Sequence, residues 1–311
     1  MEPSQAQEGH VNQKYFLLAF AVGFLLFSTA FFCMSRFILP RSGAPVALSL
    51  PEVAEPAYRA TADDCLTVLL VGLPAARQEP ALYLLVRVDP LRGGMPVTVV
   101  PAETLVRNNG TGETLADIYQ YGGIETTVSA LSSALEIPID RYFRLDADSL
   151  AQCLDWTGAA AFLLPQDVRF EKDEKSTLLQ QGVQMLDGKK MVQMVYYNSF
   201  EGGAPARCQW VAEMAASYLN QRRNVVLEAA ADRIFEEIVN AADTNMNAPD
   251  FINRKPALEQ LARLSGAPAV ALTLAGSYNE SGQFVLSDTF RAVVVQTFGA
   301  GWIPGQADRS K

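Results

Sequence analysis

Between Lys14 and Arg36 lie 21 residues without a charge, YFLLAFAVGFLLFSTAFFCMS, and this run limits the folds open to the chain more than any other feature. About 20 apolar residues in a helix cross the hydrocarbon core of a bilayer. A cleaved leader carries a shorter apolar stretch, about 7–15 residues. The run therefore predicts a retained membrane-spanning helix over 15–35, preceded by a polar tail at 1–14, with the lipid bilayer as a partner. Cys33 does not make a lipoprotein site, because Phe31 and Phe32 precede it where small residues are needed. Lys14 before the run and Arg36 and Arg41 after it are too few charges to orient the span.

Residues 36–62 hold Pro40, Pro45, Pro51 and Pro56 without a helical period, which reads as an extended stalk. A globular body is expected over 63–298, followed by a frayed tail at 299–311. Cys65–Gly72, Ala81–Val88, Pro96–Val100 and Ala159–Leu164 are apolar runs of strand length, suited to strands buried on both faces. Arg141–Leu145, Val270–Leu274 and Gln283–Leu286 read as shorter strands. Helices are predicted after Gly122-Gly123, ending at Pro138, and over Ser149–Leu154, Gly188–Val195, Gln209–Leu219, Leu227–Val239 and Pro256–Leu264. A last helix follows a Ser287 cap and runs through Phe298. Asn108-Asn109-Gly110 with Gly112 reads as a loop, and so does the charged run QDVRFEKDEKST after Pro165. Alternating strands and helices predict an α/β fold: a central mixed sheet with helices on both faces, in three layers.

The chain has one histidine, His10, in the polar tail, so the body holds no histidine-based triad, dyad or metal site. A net charge of −9 argues against nucleic acid as a partner. Cys65, Cys153 and Cys208 show no paired spacing and read as small buried hydrophobes. No phosphate-cradling glycine motif is present, so no nucleotide cofactor is indicated. Asp63-Asp64 and Glu236-Glu237 read as solvated acids. Asn109 and Asn279 head N-x-Ser/Thr triplets.

Several segments carry a resemblance: TVLLVGL at 67–73, YLLVRVDP at 83–90, VTVVPAET at 97–104, IYQYGGIETTVSALSSALEIPIDRYFRLD at 118–146 and QQGVQMLDGKKMVQMVYY at 180–197. Together they resemble the LytR-CpsA-Psr family, the YGG segment followed by IPIDRY being the most specific. The resemblance implies a single-pass bacterial membrane protein, of Gram-positive type, with its tail inside and its body extracytoplasmic. It implies transfer of anionic glycopolymers from polyprenyl pyrophosphate carriers to peptidoglycan, with a divalent metal such as Mg2+.

The chain departs from that family at the positions that carry the chemistry. Ala81 stands where the resemblance places a metal-binding Asp, and Ala102 where it places a pyrophosphate-binding Arg. The neighbouring acid persists as Glu103, the one candidate metal ligand. Thr114 replaces a lysine, and Tyr196-Tyr197-Asn198 replaces an Arg-Tyr-Arg strand end. Ala204 and Arg207 occupy the positions of an arginine pair, so only Arg207 remains of it. Arg87, late on a strand, and Arg107, in a loop, are not placed to substitute. With their ligands lost, Glu103 and Arg207 are candidates to pair with each other. Phe143, Phe162, Leu163 and Met194 are expected in the core.

Arginines bind pyrophosphate bidentately and stabilise charge that develops in phosphoryl transfer. Losing one such donor costs roughly 3 kcal/mol of transition-state stabilisation. The degenerate set points to a non-catalytic wall-assembly protein that binds a polyprenyl-linked glycan, peptidoglycan or other wall polymer, or another family protein. The alternatives are an active phosphotransferase and a structural component of a wall-synthesis complex.

Overall fold

A computed structural model describes residues 58–74, 79–108, 111–172 and 175–299. The tail, the expected span and most of the stalk lie outside the described residues, as does nearly all of the C-terminal tail. Among the described residues no helix is long and apolar enough to cross a membrane.

The central sheet is built first from a meander: β1 (Leu66–Leu73), β2 (Leu82–Val88) and β3 (Met95–Val100), joined antiparallel. A hairpin of β4 (Leu105–Asn108) and β5 (Thr111–Thr114) leads into α1 (Leu115–Leu135). Then β6 (Arg141–Asp146) returns parallel to β1. Next come α2 (Ala147–Thr157), β7 (Ala160–Leu164), β8 (Val168–Lys172), β9 (Lys175–Leu179) and β10 (Gly182–Leu186). They are followed by α3 (Gly188–Val195), α4 (Gly203–Arg222), α5 (Ala231–Ala241), β11 (Asp243–Thr244), α6 (Ala248–Ile252) and α7 (Lys255–Ala262). The last elements are β12 (Ala269–Ala271), β13 (Gly276–Tyr278), β14 (Phe284–Leu286) and α8 (Asp288–Phe298). The sheet order is β11-β6-β1-β2-β3-β12, with parallel and antiparallel pairs, so the sheet is mixed.

The two faces follow from the period of two along each strand. Leu82 and Leu84 of β2 pack with Leu150, Cys153, Met191, Val195 and Val211, from α2, α3 and α4. Tyr83 and Leu85 point the other way, into Leu115, Ile118 and Leu131 of α1 and Phe290 and Val294 of α8. Helices therefore cover both faces. Ser287 caps α8 as expected, its side chain accepting from the Phe290 amide.

Several expectations are corrected. The segment read as a loop around Asn108 to Gly112 lies at the β4–β5 hairpin, with Asn108 opposite Thr111 and Arg107 opposite Gly112. Arg107 thus lies on a strand. The charged run after Pro165 is the β8–β9 hairpin: Val168 and Leu179 face each other and are buried, an alternation hidden among the charges. α1 begins before Gly122, because Thr114 caps it in a reciprocal pair with Asp117. Its backbone breaks at Gly123 (φ 65°), and it ends at Leu135, ahead of Pro138, with Glu136 left-handed. α4 starts at Gly203, six residues before the apolar stripe that revealed it. Leu163 is 70% exposed, on the outer face of the β7–β10 ribbon beside Val183. Asp64 is buried, its carboxylate accepting from the Thr61 amide and hydroxyl. Cys153 and Cys208 are buried thiols, whereas Cys65 is half-buried and donates to Asp89.

Candidate functional site

Of the positions singled out by sequence, Ala81, Ala102, Glu103, Tyr196 and Arg207 gather at one end of the sheet, where β1 ends, β2 starts and β3 ends. Tyr83 faces Val100, and continuing that register brings residue 81 beside residue 102. The Ala81 amide donates to the Gly72 carbonyl at 3.0 Å, and the Ala102 carbonyl accepts from the Ala116 amide of α1 at 3.0 Å. The Glu103 carbonyl accepts from the Phe284 amide at 2.9 Å, which fixes its backbone, while its side chain is exposed.

Arg207 comes from the second turn of α4. It is 9% exposed, and Nη1 donates to the Val195 carbonyl at the end of α3, 3.3 Å away. Among the described residues it forms no ion pair with Glu103, so the expected pairing is not made. The two nonetheless act on the same neighbours. Burial pushes the Cys208 thiol up to about 12, with Arg207 pulling it down and Glu103 pushing it up. Burial also raises Tyr278, assisted by Glu103 and Cys208 and opposed by Arg207.

Tyr196 follows α3, and its hydroxyl is buried with no hydrogen-bond partner among the described residues. It lies against Gly72, where a Cβ would overlap the hydroxyl and crowd Leu82, so a glycine is required by close approach. Burial raises its pKa, Asp146 adds to the rise and Arg207 opposes it. The hydroxyl thus fills space next to the sheet end as a neutral group. Asn198 is exposed beyond α3, and Ala204 is half-buried in the first turn of α4. Thr114 is spent on capping α1.

Arg87 is a structural residue. It is 5% exposed, with Nε 3.1 Å from Asp89 and Nη1 donating to Thr67 at 3.2 Å. Arg92 shares the same carboxylate. That cluster lies at the opposite end of β2 from Ala81.

Sequence reasoning missed Glu79, two residues before Ala81. Burial raises Tyr83 first, then Tyr119, Glu79 and Glu103 act on it, so both acids lie at this end of the sheet. The signal was an acid two residues from the expected position. Magnesium is held by one or two carboxylates together with substrate phosphates. Among the described residues no three His, Cys, Asp or Glu side chains gather to hold a metal. With alanine at 81 and the Glu103 side chain exposed, the donor set is a poor fit for a divalent cation.

Residues 52–273, more than half of the chain, match the LytR_cpsA_psr family. The chain belongs to this family. It is 25% identical over 194 residues to a polyisoprenyl-teichoic acid–peptidoglycan teichoic acid transferase, TagV, of Bacillus subtilis, across 57% of this chain and 46% of that protein. It is 23% identical over 111 residues to the corresponding TagU transferase of Halalkalibacterium halodurans, across 34% of this chain and 36% of that protein. The chain thus spans about half or less of the length of these curated relatives. The crystal structure of B. subtilis TagV superposes with a TM-score of 0.62 at 19% identity, covering 77% of this chain and 98% of that one. That likeness shows the fold.

Proposed function

We propose that this protein is a membrane-anchored, extracytoplasmic member of the family that binds a polyprenyl-linked glycan, a wall polymer or a family partner without transferring it. The observation that carries the reading is the state of Arg207. It is the one arginine left at the positions the resemblance assigns to pyrophosphate, and it is buried and donates to a backbone carbonyl. Ala102 and Ala204 bring no donor, and Ala81 brings no metal ligand. Electrostatic stabilisation requires several donors aimed at the developing charge, and each is worth roughly 3 kcal/mol.

The test is a ligase assay with the full chain in vesicles, polyprenyl-pyrophosphate glycan, peptidoglycan and Mg2+. Binding of the carrier without attached polymer is the expected result; clear turnover overturns the proposal. A second reading, an active transferase, is favoured by the named activity of the matched relatives. In that case Glu103→Ala and Arg207→Ala each abolish turnover, and unchanged activity refutes this corner as the site. Labelling of single cysteines in the tail and near the C-terminus reports which side of the membrane holds the body.

A further inference from the structure

The strand edges that flank α4 are closed by that helix. Gln221 bonds both backbone groups of Ala161 on β7, and Asn220 both of Ala269 on β12. The edge of β10 has no such cover. β10 and β7 form a two-stranded ribbon, so β10 has no strand on its other side among the described residues. Exposed edges are ordinarily blunted by lysine, proline, a bulge or a covering element. Gly182–Leu186 reads GVQML, without charge or proline. The neighbouring hairpin, by contrast, carries Arg169, Glu171, Lys172 and Lys175.

The register fixes what that edge presents. Opposed residues of an antiparallel pair alternate between exchanging their hydrogen bonds and turning them away from each other. Ala161 spends its amide and carbonyl on Gln221, so Met185, which stands opposite, turns its own away from β7. Leu163 has the same parity, its carbonyl accepting from Trp210 Nε1 of α4, so Val183 opposite it does likewise. The open edge of β10 therefore offers the amides and carbonyls of Val183 and Met185. Their side chains share the outer face with Leu163, and the three are 73%, 64% and 70% exposed. A bilayer covering this face would leave those backbone groups unsatisfied in hydrocarbon. It would also lack the basic rim of an interfacial segment, since neither β7 nor β10 carries a charge. A further strand satisfies both the apolar face and the edge.

We infer that β10 is the strand through which two copies of this chain pair, antiparallel and about a two-fold axis at Gln184. Val183 then lies opposite Met185 of the second copy, and Met185 opposite its Val183, each pair exchanging two hydrogen bonds. Sliding the strands by two residues would instead call on Gln181 or Asp187. Asp167 already accepts from the Gln181 amide, and Asp187 caps α3. The edge is thus its own complement in one register, and a contact of that symmetry closes at two copies. Each copy is acidic, with a net charge of −9, but the strand at the axis is uncharged, so no like charges are opposed there. Repulsion between the bodies is screened beyond about 8 Å at 150 mM salt. A strand this short buries less than a standard interface, so the pairing is weak and reversible. It does not rest on the function proposed above, because it uses no residue of the Glu103 and Arg207 corner.

The experiment is disulfide cross-linking of the full chain in vesicles at 150 mM salt, with Gln184→Cys. At the axis a non-hydrogen-bonded pair brings the two Cα atoms to about 4.5 Å, within disulfide reach. Leu163→Cys is the control, because about three strand spacings, roughly 14 Å, separate it from its copy. Both are made with Cys33→Ser and Cys65→Ser, since Cys153 and Cys208 are buried. Mild oxidation with copper phenanthroline should give the Gln184→Cys dimer roughly tenfold faster than the Leu163→Cys dimer. Val183→Lys with Met185→Lys sets lysine opposite lysine across the pair and should cut the Gln184→Cys dimer about tenfold, with Tm unchanged. Met185→Lys alone serves where the double variant fails to fold. A rate no higher than the control, or a dimer undiminished in a folded lysine variant, overturns the inference. So does a Gln184→Cys adduct, in membranes of the expressing cells, at a mass other than twice that of the chain, which would place a different protein on this edge. Quenching of a fluorophore at Leu163→Cys by brominated lipid would place the bilayer there and overturn it equally.

Discussion

Tyr196 shows how a lost ligand position is reused. Its ring packs into the core beside Gly72, and its hydroxyl is buried with nothing to bond. A buried hydroxyl in that state costs about 1–3 kcal/mol, and removing it leaves the packing intact. Tyr196→Phe is therefore expected to hold or raise stability, by up to about 1 kcal/mol, in thermal or denaturant unfolding. A loss above that figure would reveal a hydrogen bond the hydroxyl makes in solution. Cys208 makes the complementary case. Burial pushes its thiol up to about 12, and the thiolate is the reactive form. At pH 7.5 iodoacetamide should leave Cys208 unmodified in the folded protein and label it readily in denaturant; peptide mass spectrometry distinguishes the two. The identity of both residues could be read from sequence, but their states could not. Tyr196 looked like a replaced arginine, and only the approach of Gly72 shows what it now does. Leu163 is the reverse: an apolar letter in an apolar run, turned outward because the β7–β10 ribbon stands outside the central sheet.

Among the elements, α4 connects most of the body. Its Asn220 amide exchanges two hydrogen bonds with the Ala269 backbone of β12, at 2.8 and 2.9 Å. The next residue, Gln221, does the same with Ala161 of β7, at 2.8 and 3.0 Å. Two adjacent side chains thus pair two strand edges that have no further strand beside them, which blunts edges prone to pairing with other chains. At the other side of the sheet, β6 is tied to α6 by Arg141, whose Nε and Nη2 each lie 2.7 Å from the Asp250 carboxylate. The Arg141 hydrogen bonds are the leading cause holding Asp250 below the usual carboxylate range, helped by the Asn247 amide and by Arg254 and opposed by burial. A depressed folded pKa contributes stability above the unfolded value, about 3.9 for Asp. That contribution is lost as pH falls through the lower folded value. Asp250→Asn should therefore cost about 1.5–3 kcal/mol at pH 7. Its Tm deficit against the parent should shrink as the pH falls below about 4. A deficit that stays constant from pH 7 to pH 2.5 would sink this account. The apolar runs that became β1, β2 and β3 were plain in the sequence because central strands covered by helices on both faces carry few polar residues. The β8–β9 hairpin was not, because its inward residues Val168, Phe170 and Leu179 are few and stand in a run of charged letters.

At the scale of the whole molecule, the layered fold was legible and the arrangement of the site was not. A mixed sheet under helices needs only strand-length apolar runs alternating with amphipathic helices. The corner needs distances between segments more than a hundred residues apart, such as Glu103 and Arg207, which no local pattern encodes. The charge distribution has a consequence at this scale. Residues 1–36 carry two acids and two bases, so the net charge of −9 belongs to the rest of the chain. A body with that balance repels an anionic wall polymer over a Debye length of about 30 Å at 10 mM salt and about 8 Å at 150 mM. A basic phosphate-binding surface behaves oppositely, since salt weakens it through counterion competition. Association of the full chain with immobilised teichoic acid should therefore be weaker at 10 mM than at 150 mM salt, with the difference in the on-rate, because long-range charge acts on encounter. Biolayer interferometry across that range reads both. A steep weakening with salt would mean that the contact is made by a local cationic surface strong enough to override the field of the body.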